Sequence, residues 1–564
     1  MRNKIEIILL AVATILFSVY QPADGCTNFL ITKGASVDGS TMITYAADSH
    51  TLYGELYYTP AADHPVGTML DIYEWDTGRH LGEIPQVPHT YSVVGNMNEF
   101  QLAIGETTYG GRRELSRQEG AVMDYGSLIY VTLQRAKTAR EAIGVMASLV
   151  EEHGYCSSGE SFSISDPEEV WILEMIGKGE GEKGAVWVAV RIPDGYISGH
   201  ANQARITTFP LNDPQNCVYS KDVISFAREK AWFNGKNKDF SFSDVYAPVD
   251  FSGARFCDAR VWAGFNKVAS GMEQYEDYAF GLIEHGGENG FPVNRLPLWV
   301  KPDKKLSVQD VMAMMRGHFE GTKLDMTKDI GAGPFQLPYR WRGLTWEVDS
   351  VAYCNERAVS TQQTGFSFVA QSRNWLPDPI GGIFWFGVDD SYSTCYAPMY
   401  CGITEVPECF AVGNGDMLTY SETSAFWTFN YVANLAYLRY IDMIQDIQKV
   451  QSELENKFTS YIPFIDQAAK SLYNESGPEK ARQFITQYSV NEANNMTKRW
   501  KELGHYLLVK YMDGNIKREK DGWFERTETG LAPYPIFAGY PEWWYKVIVD
   551  STGDHFKVIG GTGH

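Results

Sequence analysis

Residues 26–50 read CTNFLITKGASVDGSTMITYAADSH. Phe29-Leu30-Ile31 and Met42-Ile43 are apolar, strand-like runs, and Ala35 to Ser40 between them is a turn carrying Gly39. The segment predicts a β-hairpin whose first strand opens with Cys26.

Upstream of the hairpin the chain has the form of an export signal. Arg2 and Lys4 make a short positive start, and residues 7–17 read IILLAVATILF. A bilayer span takes about 20 apolar residues, so this shorter run is read as the apolar centre of a signal peptide. Ala23 and Gly25 put small side chains three and one before Cys26. That spacing predicts a signal peptide over 1–25, cleavage of the Gly25–Cys26 bond, and an exported chain, periplasmic or secreted. A rival reading makes Cys26 the lipid-bearing residue of a lipoprotein. It is weakened by Asp24, because lipidation signals keep the residues before the cysteine small and uncharged. No later hydrophobic run is long enough to span a membrane, so no stable membrane insertion is expected after signal removal.

Downstream, strands are predicted at 90–95, 101–108, 161–166, 170–176, 185–191 and 196–200. Apolar residues at helical spacing over 127–152 predict one long helix or a pair. Residues 340–415 are strand-rich again. From Ser424 the spacing turns helical through about Met512, where Asp513-Gly514 reads as a stop. The simplest parse is α+β: a catalytic domain over 26–423 and a mainly helical section over 424–564 packed on it.

The 564 residues are 44% hydrophobic and 21% charged, which excludes a disordered or coiled-coil chain. The formal net charge of −21 argues against nucleic acid or an anionic membrane surface as a partner, since the average field repels phosphate. The eight cysteines include no CxxC pair and the eleven histidines are scattered, so neither a metal nor a cofactor is expected. Cys395, Cys401 and Cys409 are close enough in sequence to include one disulfide. Gly179-Glu180-Gly181-Glu182-Lys183-Gly184 fits GxGxxG, but it lies between two predicted strands and carries two acids, so a hairpin turn is the better reading. The sequence leaves self-association into a homo-oligomer open.

A cysteine exposed by cleavage carries both a thiol and a free α-amine. The thiolate is a strong nucleophile. The amine, with an ordinary pKa of about 7.7–8.0, can take the thiol proton and later return one to a leaving group. The plainer reading is a small buried cysteine at a strand start.

Blocks in fixed order along the chain decide between these. They run Cys26-Thr27-Asn28-Phe29, Asp38-Gly39-Ser40-Thr41-Met42, Asp48-Ser49, Asn96-Met97-Asn98-Glu99, Glu106-Thr107-Thr108, Ala201-Asn202-Gln203, Arg260-Val261-Trp262, and Arg316 through Asp325 with His318 and Glu320. Phe368 to Arg373 and Gly381 to Gly387 follow. Over residues 26–460 the chain resembles peptidase family C69, cysteine dipeptidases among the N-terminal-nucleophile hydrolases and distant relatives of penicillin V acylase and bile salt hydrolase. The resemblance implies a four-layer αββα sandwich and a bacterial thiol protease acting on small peptides through a cysteinyl acyl-enzyme.

It also implies roles. Cys26 is the nucleophile, and Asp48 holds and tunes the α-amine. Asn202 donates to the oxyanion. Arg260 lies near the cysteine and favours its thiolate, and Thr108 stands where the acylases put a second polar group near the oxyanion. Plainer readings stand beside these: a turn Asp, a loop Asn, a structural ion pair for Arg260. His318, Glu320 and Asp325 are read as structural. One departure is Tyr45, where relatives often carry Arg; a phenol supplies no fixed positive charge. The alternatives are an N-acyl amide hydrolase, or a lipid-anchored binding protein of the same fold with its α-amine blocked.

Overall fold

The expected hairpin forms the centre of the molecule. In the computed structural model, which describes residues 25–116, 118–341 and 344–560, β1 (Gly25–Ile31) pairs antiparallel with β2 (Thr41–Asp48). The export signal read at the N-terminus lies outside the described residues, apart from Gly25. Nine further elements frame the hairpin: α1 (Tyr125–Leu133), α2 (Ala139–His153), and the strands β3 (Ala103–Gly110), β4 (Gly159–Ser165), β5 (Val170–Gly177), β6 (Ala185–Arg191), β7 (Ile197–His200), β8 (Thr364–Ser372) and β9 (Ile383–Val388).

Two antiparallel sheets result. The first has seven strands, in the order Trp299–Val300, β7, β1, β2, β8, β9 and β10 (Ala397–Tyr400). The second has eight, from Cys217–Tyr219 through β6, β5, β4 and β3 to three short strands at Met97–Asn98, Val93–Val94 and Tyr58–Thr59. The run expected as one strand over 90–95 is therefore split into two-residue pieces. The sheets face each other through contacts of β1 with β3 and β4. Alternation on β4 shows the logic: Phe162 and Ile164 belong to the core beneath α1 and α2, while Ser163 points to the other sheet and meets Asn28.

Helices cover the outer sides. α1 and α2 pack on the second sheet. The 127–152 segment forms a pair because the Asn98 amide donates to the carbonyls of Leu133 and Ala136, and Thr138 caps α2 by accepting from the Glu141 N–H. On the first sheet, α3 (Ala259–Val268) packs against β1, α4 (Ala425–Ala436) against β9, and the long pair α5 (Tyr440–Ser476) and α6 (Pro478–Tyr511) against β10. Gly477, at φ +88, and Pro478 make the break between α5 and α6. Past α6, Asp513 and Gly514 take positive φ, where the sequence places a stop.

All eight cysteines are unpaired, so the bridge considered among Cys395, Cys401 and Cys409 is absent. The Gly179–Gly184 stretch is the turn between β5 and β6. Among the described residues no helix is long and apolar enough to cross a membrane.

Candidate active site

β1 and β2 set the site by register. Cys26 lies opposite Ala47, and Gly25 opposite Asp48. The pairing of β2 with β8 slips between Ala47 and Asp48, a bulge that re-aims the Asp48 side chain. Both residues line a cavity of about 960 Å3.

The Cys26 backbone N–H donates to Asn202 Oδ1 at 2.9 Å. Asn202 follows β7 with φ +67, a conformation asparagine tolerates better than most residues. Its oxygen also accepts from Arg260 Nη2 at 2.7 Å, and its nitrogen donates to the Thr108 carbonyl at 2.6 Å. Two donors on the oxygen fix the amide orientation and leave one N–H hydrogen of Asn202 uncommitted.

Arg260, on α3, is fully buried. Nη1 donates to the Cys26 carbonyl at 2.7 Å and to Thr27 Oγ1 at 2.8 Å; Nη2 also reaches the Ala201 carbonyl, and Nε the Phe256 carbonyl. The guanidinium thus ties the Cys26 carbonyl and the Thr27 hydroxyl to Asn202, which in turn holds the Cys26 N–H. Burial, with Arg357 next in effect, brings its pKa down to about 10.

The Cys26 sulfur lies 3.6 Å from both the Tyr45 hydroxyl and Glu106 Oε1. Tyr45 donates to Glu106 Oε1 at 2.5 Å. Position 45 therefore holds a phenol that orients a carboxylate. Asn28 supports the same strand: with its amide turned to satisfy its surroundings, its oxygen accepts from the Glu106 N–H at 3.1 Å and its nitrogen donates to the Glu106 carbonyl at 3.2 Å. Behind Glu106 stands Glu160, fully buried, accepting from Thr108 Oγ1 at 2.8 Å. Oε2 of each glutamate is buried without another donor. Burial and the Glu106 charge push the Glu160 carboxyl well up, and burial raises Glu106 as well. Thr108 gives its hydroxyl hydrogen to Glu160, so it meets the site through its carbonyl and not as a hydroxyl donor to the cavity.

Asp48 is 3% exposed. Oδ1 accepts from Thr364 at 2.7 Å, and Oδ2 lies 3.9 Å from Arg357 Nη2. Burial outweighs these favourable partners and raises its pKa to about 7. Burial, then the Glu106 and Asp48 charges, also push the Cys26 thiol well up. Both directions hold with Gly25 bonded to Cys26, whose nitrogen is then a neutral amide. Gly25 itself is wedged: a Cβ there would collide with Asn202 Oδ1 and the Arg357 guanidinium.

The structure therefore gathers Cys26, Asp48, Asn202 and Arg260, with the Thr108 carbonyl. Tyr45, Glu106, Glu160 and Arg357 join them, and the sequence reading assigned none of these four a part. An acid inside the buried strand AIGETT was a visible signal for Glu106. Arg357 comes from a loop far down the chain and had none. His318, Glu320 and Asp325 lie outside the cavity lining: His318 bridges Glu320 and Tyr339, and Asp325 holds the turn at Gly321 and Thr327. Among the described residues no group of three or more His, Cys, Asp or Glu is arranged for a metal ion.

The model of peptidase family C69 matches residues 25–453. A probable dipeptidase of Latilactobacillus sakei is 24% identical over 453 residues, 76% of this chain and 85% of that protein. Probable dipeptidase B of Streptococcus pyogenes serotype M1 is 22% identical over 537 residues, 91% of this chain and 98% of that protein. A probable dipeptidase of Salmonella dublin is 24% identical over 400 residues, covering 67% and 81%.

Proposed function

The chain belongs to peptidase family C69 and is a peptide-bond hydrolase; from that premise we propose that it is an exported dipeptidase whose nucleophile is Cys26, made N-terminal by cleavage after Gly25. The observation that carries the reading is the head of β1, where the Cys26 nitrogen, its sulfur and Asn202 meet at one cavity. We read the two facing sheets and their outer helices as the αββα sandwich of N-terminal-nucleophile hydrolases.

Cleavage replaces a neutral amide by an amine that carries a proton near neutral pH. A cation at that nitrogen favours both the Asp48 carboxylate and the Cys26 thiolate. The amine in its neutral form, which its ordinary pKa of about 7.7–8.0 leaves populated near neutral pH, takes the Sγ proton and becomes that cation, and Sγ attacks the scissile carbonyl. The oxyanion is met by the uncommitted N–H of Asn202, oriented by Arg260. As the C–N bond breaks, the α-ammonium returns its proton to the leaving amine. Water, deprotonated by the same α-amine, then hydrolyses the thioester and restores the thiol.

Acid-quenched turnover of a dipeptide by the cleaved protein should yield an N-terminal peptide heavier by one acyl residue. Cys26→Ala should lose turnover by about 10^4-fold or more while keeping its fold, and Cys26→Ser should retain a trace. Equal turnover by Cys26→Ala and the native protein would remove the mechanism. A lipid-modified Cys26 in the same mass spectrum would favour the anchored binding protein.

A further inference from the structure

The cavity lining has two unlike parts. Around the nucleophile it is polar, with Asp48, Ser49, Asn202 and Arg357. A second part is aromatic and apolar, with Tyr57, Trp75, Tyr130, Val93 and Ile129. The volume, about 960 Å3, lies near the top of the roughly 300–1,000 Å3 of small-molecule pockets. Two alanine-sized residues would leave most of it to water.

Trp75 sits in the turn of a hairpin that pairs Met69–Tyr73 with His80–Pro85. That turn is pinned to the start of α1. The Trp75 N–H donates to Asp124 Oδ2 at 2.8 Å, and the Tyr125 hydroxyl donates to Asp76 Oδ1 at 2.7 Å. Gly126 makes room for the indole, since a Cβ there would collide with the Trp75 side chain. Tyr57 flanks it, with ring centroids 5.3 Å apart and planes tilted by 59°. Both rings line the cavity, yet Trp75 is 38% and Tyr57 39% exposed. Two rings held in place and still open offer faces and edges to a third. They also stand near the chemistry. Glu106 Oε1 lies 3.6 Å from the Cys26 sulfur. Burial, then the charges of Glu106 and Asp76, push the Tyr125 hydroxyl up, so Tyr125 lies within the field of both the carboxylate at Sγ and the hairpin turn.

We propose that Trp75 and Tyr57 form a subsite for an aromatic side chain, and that the protein hydrolyses fastest those dipeptides carrying one beside the scissile bond. The assignment rests on the peptidase reading and adds to it which side chains are taken. The ring of such a residue fills space that a methyl group leaves to water, and it gains the contacts of both aromatic neighbours.

The test uses the purified protein beginning at Cys26 with alanyl-alanine, phenylalanyl-alanine, alanyl-phenylalanine and the two leucine counterparts. The better phenylalanine dipeptide should exceed alanyl-alanine in kcat/KM by about 10- to 100-fold, the range of burying one aromatic side chain. It should exceed its leucine counterpart by about 2- to 10-fold, the range of an aromatic pair. Trp75→Ala should shrink the preference over alanyl-alanine at least about threefold, mainly through the phenylalanine substrate, and Trp75→Phe should keep most of it. Tyr57→Leu should shrink it too if Trp75→Ala does not fold. Alanyl-alanine used as fast as both phenylalanine dipeptides overturns the assignment and leaves the peptidase reading standing. So does a leucine dipeptide that matches the better phenylalanine one. So does a Trp75→Ala protein that loses all activities in the same proportion, since that marks a residue serving the fold alone. A protein that cleaves none of the five removes the peptidase reading and this assignment with it.

Discussion

Two demands meet on Asp48: burial resists its charge, and Arg357 and Thr364 support it. In the uncleaved chain its folded pKa, about 7, lies above the ordinary 3.8, so the folded state holds the proton more tightly than the unfolded one. The sign follows from linkage. The stabilisation from this proton is complete below about pH 4 and is lost as pH rises through 7. Urea denaturation of the uncleaved protein across pH 4–8 should therefore show a fall in stability that Asp48→Asn flattens. The proposed cleavage would supply a positive neighbour, so a protein beginning at Cys26 should show a smaller slope than the uncleaved one; identical slopes would place the new amine away from Asp48. Residues of this kind divide sharply in how legible they are. Cys26 was singled out by the small residues before it together with the family resemblance, and Asp48 by that resemblance alone. Glu106 was seen only as part of a strand, because which group its carboxylate meets depends on sheet packing. Arg357 reaches Asp48 through tertiary folding that no local pattern encodes.

At the level of elements, β1 is held from both sides. Asn28 reaches across to β3, and Phe29 turns outward against α3, where a Cβ at Gly264 would overlap its ring. Gly264 lies one turn from Arg260 on that helix, so the packing of Phe29 and the clamp on Cys26 share one helical face. Gly264→Ala should cost about 1–3 kcal/mol by overpacking and lower turnover together with the melting temperature. Unchanged turnover in a destabilised Gly264→Ala protein would separate α3 packing from the site. The hairpin and strands β3 to β7 were legible because alternation and turn residues mark them locally. The split near residues 90–95 was not, since the breaks at Tyr91 and Ser92 come from bonds to Gln134 and Glu99. The helix break between α1 and α2 likewise depends on Asn98, a residue outside the segment.

Over the whole molecule, the long helices are fastened to the sheets by charge as well as by apolar packing. Arg316 meets Glu455 of α5 in an ion pair, and Arg373, at the end of β8, meets Asp466. Tyr400 of β10 also donates to Asp466, at 2.7 Å. Removing one member of a buried pair leaves the other charge uncompensated, so Asp466→Ala should cost about 3–5 kcal/mol, read as a lower melting temperature. Arg373→Met with Asp466→Leu should cost less than Asp466→Ala alone; the reverse order would deny the pair its place in holding α5. The helical section was legible from its spacing, whereas the partners that fasten it lie in segments distant in sequence. The central claim also concerns the chain as a whole: removal of everything before Cys26 creates the base. Dipeptide turnover of a protein beginning Met-Cys26 should be compared with that of one beginning at Cys26, both N-terminally sequenced and matched in folded content. The retained methionine keeps the Cys26 nitrogen an amide, and loss of general-base assistance is worth about 10²–10⁴ in rate. The Met-Cys26 protein should be slower by that factor and recover when the methionine is removed. Equal rates in the two proteins would show that another group is the base and would contradict the N-terminal-nucleophile account.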